Sequence, residues 1–294
     1  MKLLVATDFS PASPTIETLK ARPWPASTEV CVLHVVDLAP FEPSAEILET
    51  ARRGAESVVQ ALVADLKRSG LQVKGEVITG HPRSGIAEFA KTWGADFILM
   101  GSHGMHGLAR FFLGSTARAA VRAAPCSVEV VRTPVKDSSA AEAGWKILLP
   151  SDGSDCAKKA ARSLAERPWP EGTVVRVASV VAPFMPFGDA GAGYFEVNQV
   201  AGVGREIEAE MQIQALRAIA ETAEVLRSAG MAKIEKTAPI NGDPKRAIVE
   251  EASKWEATMI VVGSHGRHGV DRLLMGSVSE FVAMHAHCSV EVIR

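Results

Sequence analysis

Residues 262–280 read VGSHGRHGVDRLLMGSVSE, and residues 100–118 read MGSHGMHGLARFFLGSTAR. Both stretches contain the pattern Gly-x2-Gly-x9-Gly-Ser, and its four fixed positions are shifted by 162 between the copies, for example from Gly101 to Gly263. Each pattern follows an apolar run and precedes a stretch with helical character. A shared register of this length indicates an internal repeat with a common structural reason.

The repeat extends well beyond these glycines. Three further pairs of segments recur in the same order: KLLVATDFS (2–10) and KILLPSDGS (146–154), RPWP (22–25) and RPWP (167–170), and CSVEVVR (126–132) and CSVEVIR (288–294). The spacing is too long for a solenoid and indicates two duplicated domains, in agreement with a length of 294 residues. We predict a first domain over residues 1–135, a linker over 136–144 and a second domain over 145–294, called the first and second halves below.

Short apolar runs alternate with longer helical patterns within each half. In the first half, strands are expected at 3–7, 30–36, 71–79, 97–101 and 127–131. A long amphipathic helix is expected where apolar residues recur every three or four positions, at Ile47, Ala51, Ala55, Val58, Leu62 and Leu66. This alternation predicts an α/β fold in which each half is an open, doubly wound parallel sheet. Ligands of such sheets bind at the carboxyl ends of the strands.

Composition narrows the class of protein. Hydrophobic residues make up 47% of the chain, which is enough for a packed core in each half. The net charge of −2 argues against nucleic acid or an anionic membrane as a partner. The first apolar stretch ends at Asp8, too early for a signal peptide, and no later run approaches the length of a membrane span. Four scattered cysteines indicate reduced thiols, so we expect a cytoplasmic protein.

The repeated Gly-x2-Gly-x9-Gly-Ser pattern, called the glycine phrase below, has the features of a phosphate site. Gly101 and Gly263 fall where a strand stops and the chain must turn, and glycine lets the backbone approach a ligand closely. The helix that follows begins near Gly114 or Gly276, and a helix start offers unpaired N–H groups that favour phosphate. The alternative is that Ser115 and Ser277 are only N-caps and the glycines only form turns. The repeated spacing favours the phosphate site, although the pattern is neither a Walker A motif nor a dinucleotide fingerprint.

Together with the phrases TDFS, LHVV and MGSHG, this motif resembles the universal stress protein family, whose ATP-binding members carry Gly-x2-Gly-x9-Gly-Ser/Thr. The resemblance covers nearly the whole chain and implies a tandem two-domain member. It implies the strand order 3-2-1-4-5 in two five-stranded sheets, a fold similar to the adenine nucleotide alpha hydrolases. It also implies ATP, accompanied by Mg2+, in each half. The expected function is that of a cytoplasmic stress-response protein acting as a nucleotide-dependent regulator or interaction module.

The resemblance also assigns residues to the two sites. Asp8 and Asp152 would contact adenosine, and Val35 and Val180 would recognise adenine through the backbone. The loop after strand 4 would line ribose and phosphates with Gly101, His103, Gly104, Gly263, His265 and Gly266. The phosphates would be cradled by Gly114, Ser115, Thr116, Gly276, Ser277, Val278 and Ser279. The halves differ where Ala117 corresponds to Ser279 and where His34 corresponds to Ser179.

Other readings of individual residues remain open. Asp8 and Asp152 can instead cap the helix that follows them. The His-x2-His spacing at 103/106 and 265/268 is compatible with zinc, but no matching Cys or carboxylate cluster lies nearby, so we expect no metal site. Arg110 and Arg272 can reach a terminal phosphate or form an ion pair with a neighbouring acid.

The fifth strands support a further expectation. Exposed sheet edges tend to be paired or covered, and in family dimers the fifth strands pair across the two-fold axis. We therefore expect 126–132 and 288–294 to pair within one chain as an internal pseudo-dimer. Further homodimerisation stays open, and the sequence indicates no protein partner. For the Gly-rich insertion at 184–204, a lid, a dimer contact and a plain loop stay open.

No residue stands out as a catalytic base for phosphoryl transfer, so we expect a binding protein and assign no catalytic residue. The alternatives are an AMP or cyclic AMP sensor and a weak ATPase or autophosphorylating enzyme. A nucleotidyl-transferase would need a His-x-Gly-His signature and an ATP-pyrophosphatase a Ser-Gly-Gly-x-Asp-Ser signature near strand 1. TDFSP and SDGSD contain neither. A scaffold without ligands would be expected to lose the glycines, which are retained.

Overall fold

A computed structural model describes residues 1–9, 14–37, 44–103, 113–132, 144–183, 197–266 and 275–294, with the side chains of 197–203 outside that description. In the first half, the described residues form β1 (Lys2–Ala6), α1 (Pro14–Ala21), β2 (Glu29–Val36), α2 (Ala45–Arg68), β3 (Gln72–Thr79), α3 (Pro82–Trp93), β4 (Phe97–Gly101), α4 (Ser115–Ala123) and β5 (Ser127–Val131).

In the second half, they form β6 (Lys146–Pro150), α5 (Asp155–Ala165), β7 (Val174–Ala178), β8 (Val180–Val181), α6 (Val197–Ser228), β9 (Lys233–Lys236), β10 (Ile240–Asn241), α7 (Pro244–Lys254), β11 (Met259–Gly263), α8 (Ser277–His285) and β12 (Ser289–Ile293). The insertion predicted at 184–204 enters α6 from residue 197, whereas 184–196 lie outside the described residues, as does most of the predicted linker. No helix in the described ranges has the length and apolarity needed to cross a bilayer.

The main sheet has the strand order β3-β2-β1-β4-β5-β12-β11-β6-β7-β9. Within each half the strands are parallel and follow the order 3-2-1-4-5, so the predicted doubly wound fold is confirmed. The halves meet where β5 and β12 pair antiparallel, with Val128 opposite Val292 and Val130 opposite Val290. The two five-stranded sheets are thus continuous as one ten-stranded sheet.

The sheet is covered on both faces because successive strand residues point in opposite directions. Leu3 of β1 packs in a cluster with Val59 and Leu66 of α2. Its neighbour Leu4 packs in a different cluster, with Ile86 of α3 and Ala120 of α4. The continuous apolar runs in the sequence reflect this two-sided burial.

Helix α2 buries only part of the face that the sequence predicts. Ala55 and Leu66 are buried as expected, but Ile47 is 58% exposed and Val58 is 46% exposed, so the prediction is wrong at those two positions. The cause lies in β3, because a Cβ at Gly75 would overlap Val59 Cγ1. This close approach turns Val59 toward the sheet and its neighbour Val58 toward solvent.

The strand equivalent to β2 is interrupted in the second half. β7 ends at Ala178, and β8 pairs with β10 in a separate two-stranded sheet. Between them, the carbonyl of Ser179 accepts a hydrogen bond of 2.9 Å from the Ile240 amide. The preceding residue, Pro239, has no amide hydrogen to donate, which accounts for the break in the ladder.

Candidate functional site

A cavity of about 570 Å³ opens at the carboxyl ends of β1, β2 and β4 in the first half. Its volume lies within the range of small-molecule sites. Of the residues assigned to this half from the sequence, those lining the cavity are Asp8, Val35, Gly101, His103, Gly114, Ser115 and Thr116. Gly104 lies outside the described residues. The cavity therefore brings together residues from four separate segments of the chain.

Further lining residues come from helices α1 and α3. Thr15 of α1 and Ile86 of α3 contribute to the wall, as does Pro82 at the start of α3. Sequence reasoning missed them because they belong to no motif and reach the cavity only through the packing of their helices. A Cβ at Gly101 would lie 3.4 Å from Thr15 Oγ1, so the end of β4 passes close to α1.

Helix α4 begins at the cavity with a glycine as its N-cap. Gly114 has φ −58° and ψ 152° and, as a glycine, gives the first turn no side-chain hydrogen bond. The interpretation of Ser115 as the N-cap is therefore wrong. The Gly114 amide donates to the Ser102 carbonyl at 2.8 Å, and a Cβ at residue 114 would lie 3.0 Å from that oxygen. Glycine thus keeps the loop close to the helix start, and the first-turn amides are left for an anion.

Helix α8 repeats this arrangement in the second half. Gly276 is its N-cap with φ −65° and ψ 143°, again without a side-chain cap, so Ser277 is not the N-cap either. The Gly276 amide donates to the Ser264 carbonyl at 2.7 Å. Ser277 is exposed and Val278 is half-buried at this helix start. The local geometry of the glycine phrase is thus the same in both halves.

Ser279 forms a hydrogen bond within the second half. Its side chain is buried, and Oγ donates to the Gly263 carbonyl at 2.6 Å. The hydroxyl therefore ties the first turn of α8 to the end of β11. The first half has Ala117 at this position, which cannot form the corresponding bond.

The two aspartates at the ends of β1 and β6 lie in different surroundings. Asp152 Oδ1 accepts from the Ser154 amide at 3.0 Å, and Ser154, not Asp152, is the N-cap of α5. Asp8 lines the first cavity, and α1 begins only at Pro14, too far along the chain for Asp8 to cap it. The helix-capping alternative is therefore wrong for both residues.

Two glycines of the second half lie close to the segment that follows β6. A Cβ at Gly263 would lie 2.8 Å from the carbonyl of Cys156, and a Cβ at Gly266 would lie 2.8 Å from Asp152 Oδ2. The reason is that α5 starts at Asp155, directly after the Asp152 turn, and its first turn packs on the end of β11.

His34 fixes the first loop of the cavity. Its Nδ1 lies 2.9 Å from the Thr7 carbonyl oxygen, and its ring stacks on Phe9 with centroids 3.9 Å apart. Because a carbonyl only accepts, Nδ1 carries the proton in this bond. Burial lowers the pKa of His34, which keeps the ring neutral near pH 7. Ser179 at the equivalent position cannot provide this stack.

The remaining assigned residues are placed as follows. His103 Nδ1 lies 3.0 Å from Ser102 Oγ, and His265 Nδ1 lies 3.0 Å from Ser264 Oγ. Val180 is in β8, opposite Ile240. In the described ranges, no three His, Cys, Asp or Glu residues are grouped so as to hold a metal ion. Outside those ranges lie His106, Arg110, His268 and Arg272.

Comparison with known proteins gives matches in sequence and in fold. A universal stress protein of Mycolicibacterium smegmatis is 28% identical over 253 residues, which covers 84% of this chain and 77% of that protein. A universal stress protein of Methanocaldococcus jannaschii is 33% identical over 147 residues, covering 46% of this chain and 84% of the relative. The crystal structure of a universal stress protein from Archaeoglobus fulgidus superposes with a TM-score of 0.66 at 19% identity, covering 100% of this chain and 98% of the other.

The family model described as the universal stress protein family matches the chain twice, over residues 1–132 and 145–294. These two ranges contain the two copies of the glycine phrase and both sets of strands. The chain therefore belongs to the universal stress protein family and contains two of its domains.

Proposed function

We propose that this protein binds ATP in each half through the Gly-x2-Gly-x9-Gly-Ser loop. It acts as a nucleotide-dependent regulator or interaction module in the stress response of the cytoplasm. The observation that carries the proposal is the cavity of about 570 Å³ that ends on the N-terminus of α4, where the N-cap is a glycine. Free thiols at all four cysteines agree with a reducing compartment.

The phosphates would bind at the start of α4. The first-turn amides carry the positive end of the helix dipole, and the N-cap Gly114 has no side chain that could bind them. The hydroxyls of Ser115 and Thr116 at the cavity wall add donors for phosphate oxygens. Gly101 and Gly114 would let the backbone come close to the triphosphate because neither has a side chain in the way.

The adenosine would lie at the opposite end, between β1 and β2. Val35 offers backbone groups to the adenine edge, and Asp8 offers a carboxylate to the ribose hydroxyls. The stack of His34 on Phe9 holds the β1 loop that carries Asp8. The Mg2+ that accompanies ATP would be held mainly by the phosphates, with hydroxyl and carboxylate oxygens available from Ser115, Thr116 and Asp8.

The two sites are expected to differ in affinity. In the second half, the Asp152 carboxylate lies close to Gly266, and we expect ATP to displace this side chain when it binds. Ser279 also braces the helix start through its bond to Gly263. Displacing the Asp152 side chain costs free energy that reduces the observed affinity. We therefore propose tighter binding in the first half.

Binding is favoured over turnover. Among the lining residues, Asp8, His34 and His103 are the titratable groups, and the described wall includes no lysine or arginine. Phosphoryl transfer needs a cationic clamp and a group that orients the nucleophile. A slow ATPase is therefore the less supported alternative. An AMP or cyclic AMP sensor would share the adenosine contacts and differ only in its use of the α4 amides.

The test is to purify the protein, denature it and identify any released nucleotide. ATP at up to two equivalents per chain supports the proposal. The G114V and G276V variants should each lose one site, because a valine side chain would collide with the Ser102 or Ser264 carbonyl. The matched control is G54A, where the added Cβ meets open space. Unchanged nucleotide in G114V and G276V would refute the site, and preferential retention of AMP or cyclic AMP would favour the sensor.

We also propose that the pairing of β5 with β12 makes the chain an internal pseudo-dimer in solution, with domain boundaries near residues 135 and 145. This pairing occupies the edge that each half would otherwise expose. Light scattering should give the mass of one chain at micromolar concentration. A stable mass of two chains would show homodimerisation in addition.

A further inference from the structure

Two arginines cross between the halves at the centre of the sheet. Arg132 directly follows β5, and Arg294 directly follows β12. Arg132 Nη2 donates to the carbonyls of Ala283 at 2.5 Å and Met284 at 3.3 Å, both in α8 of the second half.

Arg294 Nη2 donates to the carbonyls of Val121 at 2.8 Å and Arg122 at 2.9 Å, both in α4 of the first half. These two carbonyls occupy the same positions in α4 that Ala283 and Met284 occupy in α8, with a shift of 162. Each arginine thus caps the last turn of a helix in the opposite half.

The capped carbonyls belong to the set that a helix leaves without internal partners at its C-terminus. That end carries the negative pole of the helix dipole, so a guanidinium there is doubly favourable. The same two helices begin at Ser115 and Ser277, where the phosphates are proposed to bind. Each phosphate-binding helix is therefore held at its far end by the other half of the chain.

Hydrogen bonds of the backbone at and before each arginine also connect it to both halves. The Arg132 amide donates to Ser289 Oγ, and the Arg294 amide donates to Ser127 Oγ, each at 3.2 Å. The residue before each arginine accepts from the glycine loop of its own half. The Ser102 amide donates to the Val131 carbonyl at 3.1 Å, and the Ser264 amide donates to the Ile293 carbonyl at 2.8 Å.

The two helices also contact each other directly. Arg122 of α4 donates through Nε to Glu280 of α8 at 2.8 Å, and Arg118 lies 3.6 Å from the same carboxylate. These groups are partly exposed and contribute modestly to stability. They show that the helices are neighbours, so the arginine caps lie within one contiguous set of contacts.

We propose that Arg294 is a positioning residue for the nucleotide site of the first half and Arg132 for that of the second, so that the two sites are coupled. The proposal rests on the proposed function. α4 has nine residues and is short enough to move as a unit. Phosphate bound at its start would change the contacts of its last turn with Arg294, and so the position of β12 and the Ser264 loop. Coupling of this kind is reciprocal between the sites.

The test measures each site in a chain whose other site is removed. In a G276V chain, R294Q should weaken ATP binding to the first half by about threefold to tenfold, the size expected for a charge at a helix terminus. R294K should restore most of the affinity, because lysine can still donate to the carbonyls. In a G114V chain, R132Q should weaken the second site in the same way.

The crossed pattern separates positioning from local damage. Each arginine should affect the opposite half's site more than its own, although Arg132 follows Val131 at the wall of the first cavity. The control R68Q removes an exposed arginine of α2 and should leave both affinities unchanged. The proposal is wrong if each substitution acts mainly on the site of its own half. It is also wrong if neither substitution changes the affinity for ATP by more than about twofold, since about threefold to tenfold is expected.

A second readout does not depend on nucleotide. Amide hydrogen exchange in the ligand-free protein should become faster in α4 for R294Q and in α8 for R132Q. If wild-type protein binds no nucleotide, the proposed function fails and exchange still tests the crossed caps. If nucleotide binds and exchange in α4 and α8 matches the wild type, the positioning role fails alone.

Discussion

Glu129 of β5 and Glu291 of β12 lie directly opposite each other across the strand pair that joins the two halves, and both side chains are fully buried. Like charges in this position repel. Each is neutralised by an arginine from its own half, since Arg22 Nη1 lies 2.6 Å from Glu129 Oε2 and Arg167 Nη2 lies 2.6 Å from Glu291 Oε1.

Both RPWP segments contribute to this cluster. The Arg22 guanidinium lies 5.1 Å from the ring centroid of Trp24 in its own half, and 4.8 Å and 4.7 Å from those of Trp145 and Trp169 in the second half. Such contacts between a cation and aromatic faces are strongest when water is excluded. The motif thus places a charge and an aromatic ring at the interface between the halves.

Removing Arg22 should destabilise the whole protein. R22M leaves Glu129 buried without its counter-ion, and we expect the free energy of unfolding to fall by about 3–5 kcal/mol. Urea denaturation followed by circular dichroism measures this loss. The control R68M removes an exposed ion pair with Asp65 and should change stability by less than about 0.5 kcal/mol.

The double substitution R22M/E129Q removes the buried charge as well as its partner. It should recover a large part of the stability lost in R22M, because the uncompensated charge is the main cost. A double variant as unstable as R22M would mean that packing of the arginine, not its charge, stabilises the interface between the halves.

Alanine substitutions at Gly75 and Gly54 should change the free energy of unfolding in opposite directions. G75A places a Cβ against Val59 in the α2–β3 contact and should destabilise by about 1–3 kcal/mol. G54A adds a Cβ to the exposed face of α2, where nothing lies within 4 Å, and should stabilise by about 0.5–1 kcal/mol. Thermal unfolding compares the two directly, and equal shifts would contradict the packing of α2 described above.

His34 should make stability depend on pH. Burial lowers its pKa in the folded protein below the usual 6.5, so the unfolded chain takes up the proton first. Stability is then fully present above pH 6.5 and declines as the pH falls from 6.5 toward the folded pKa. H34N retains a donor for the Thr7 carbonyl and cannot titrate. Its urea midpoint should fall less than that of the wild type between pH 7.5 and 5.5, and parallel falls would contradict this role.

The two nucleotide sites should fill unequally. At ATP concentrations that half-saturate the wild type, G114V should remove more bound nucleotide than G276V, because the first half already has an open cavity. Equilibrium dialysis of both variants provides the comparison. Equal losses would mean that the contact between Asp152 and Gly266 does not hinder binding.

Local features of the sequence were sufficient to predict a large part of this structure. The strands of the first half lie within one residue of their expected bounds, and the glycine phrase lies at the helix start, because apolar periodicity and glycine's backbone freedom act over a few residues. An N-cap at Ser115 and Ser277 was the alternative that the sequence left open, since N-cap preference favours serine. In the protein, the close approach of the Ser102 and Ser264 carbonyls requires glycine there.

Relationships between distant residues were decided by the tertiary structure alone. Arg22 and Glu129 are 107 positions apart, and Arg294 reaches carbonyls more than 170 positions away. Nothing near these residues in the chain indicates a partner, because their contacts exist only once β5 and β12 have paired. The same applies to the buried face of α2, which depends on the missing side chain of Gly75. Repetition along the chain specifies the two units, and burial where they meet determines which side chains come into contact.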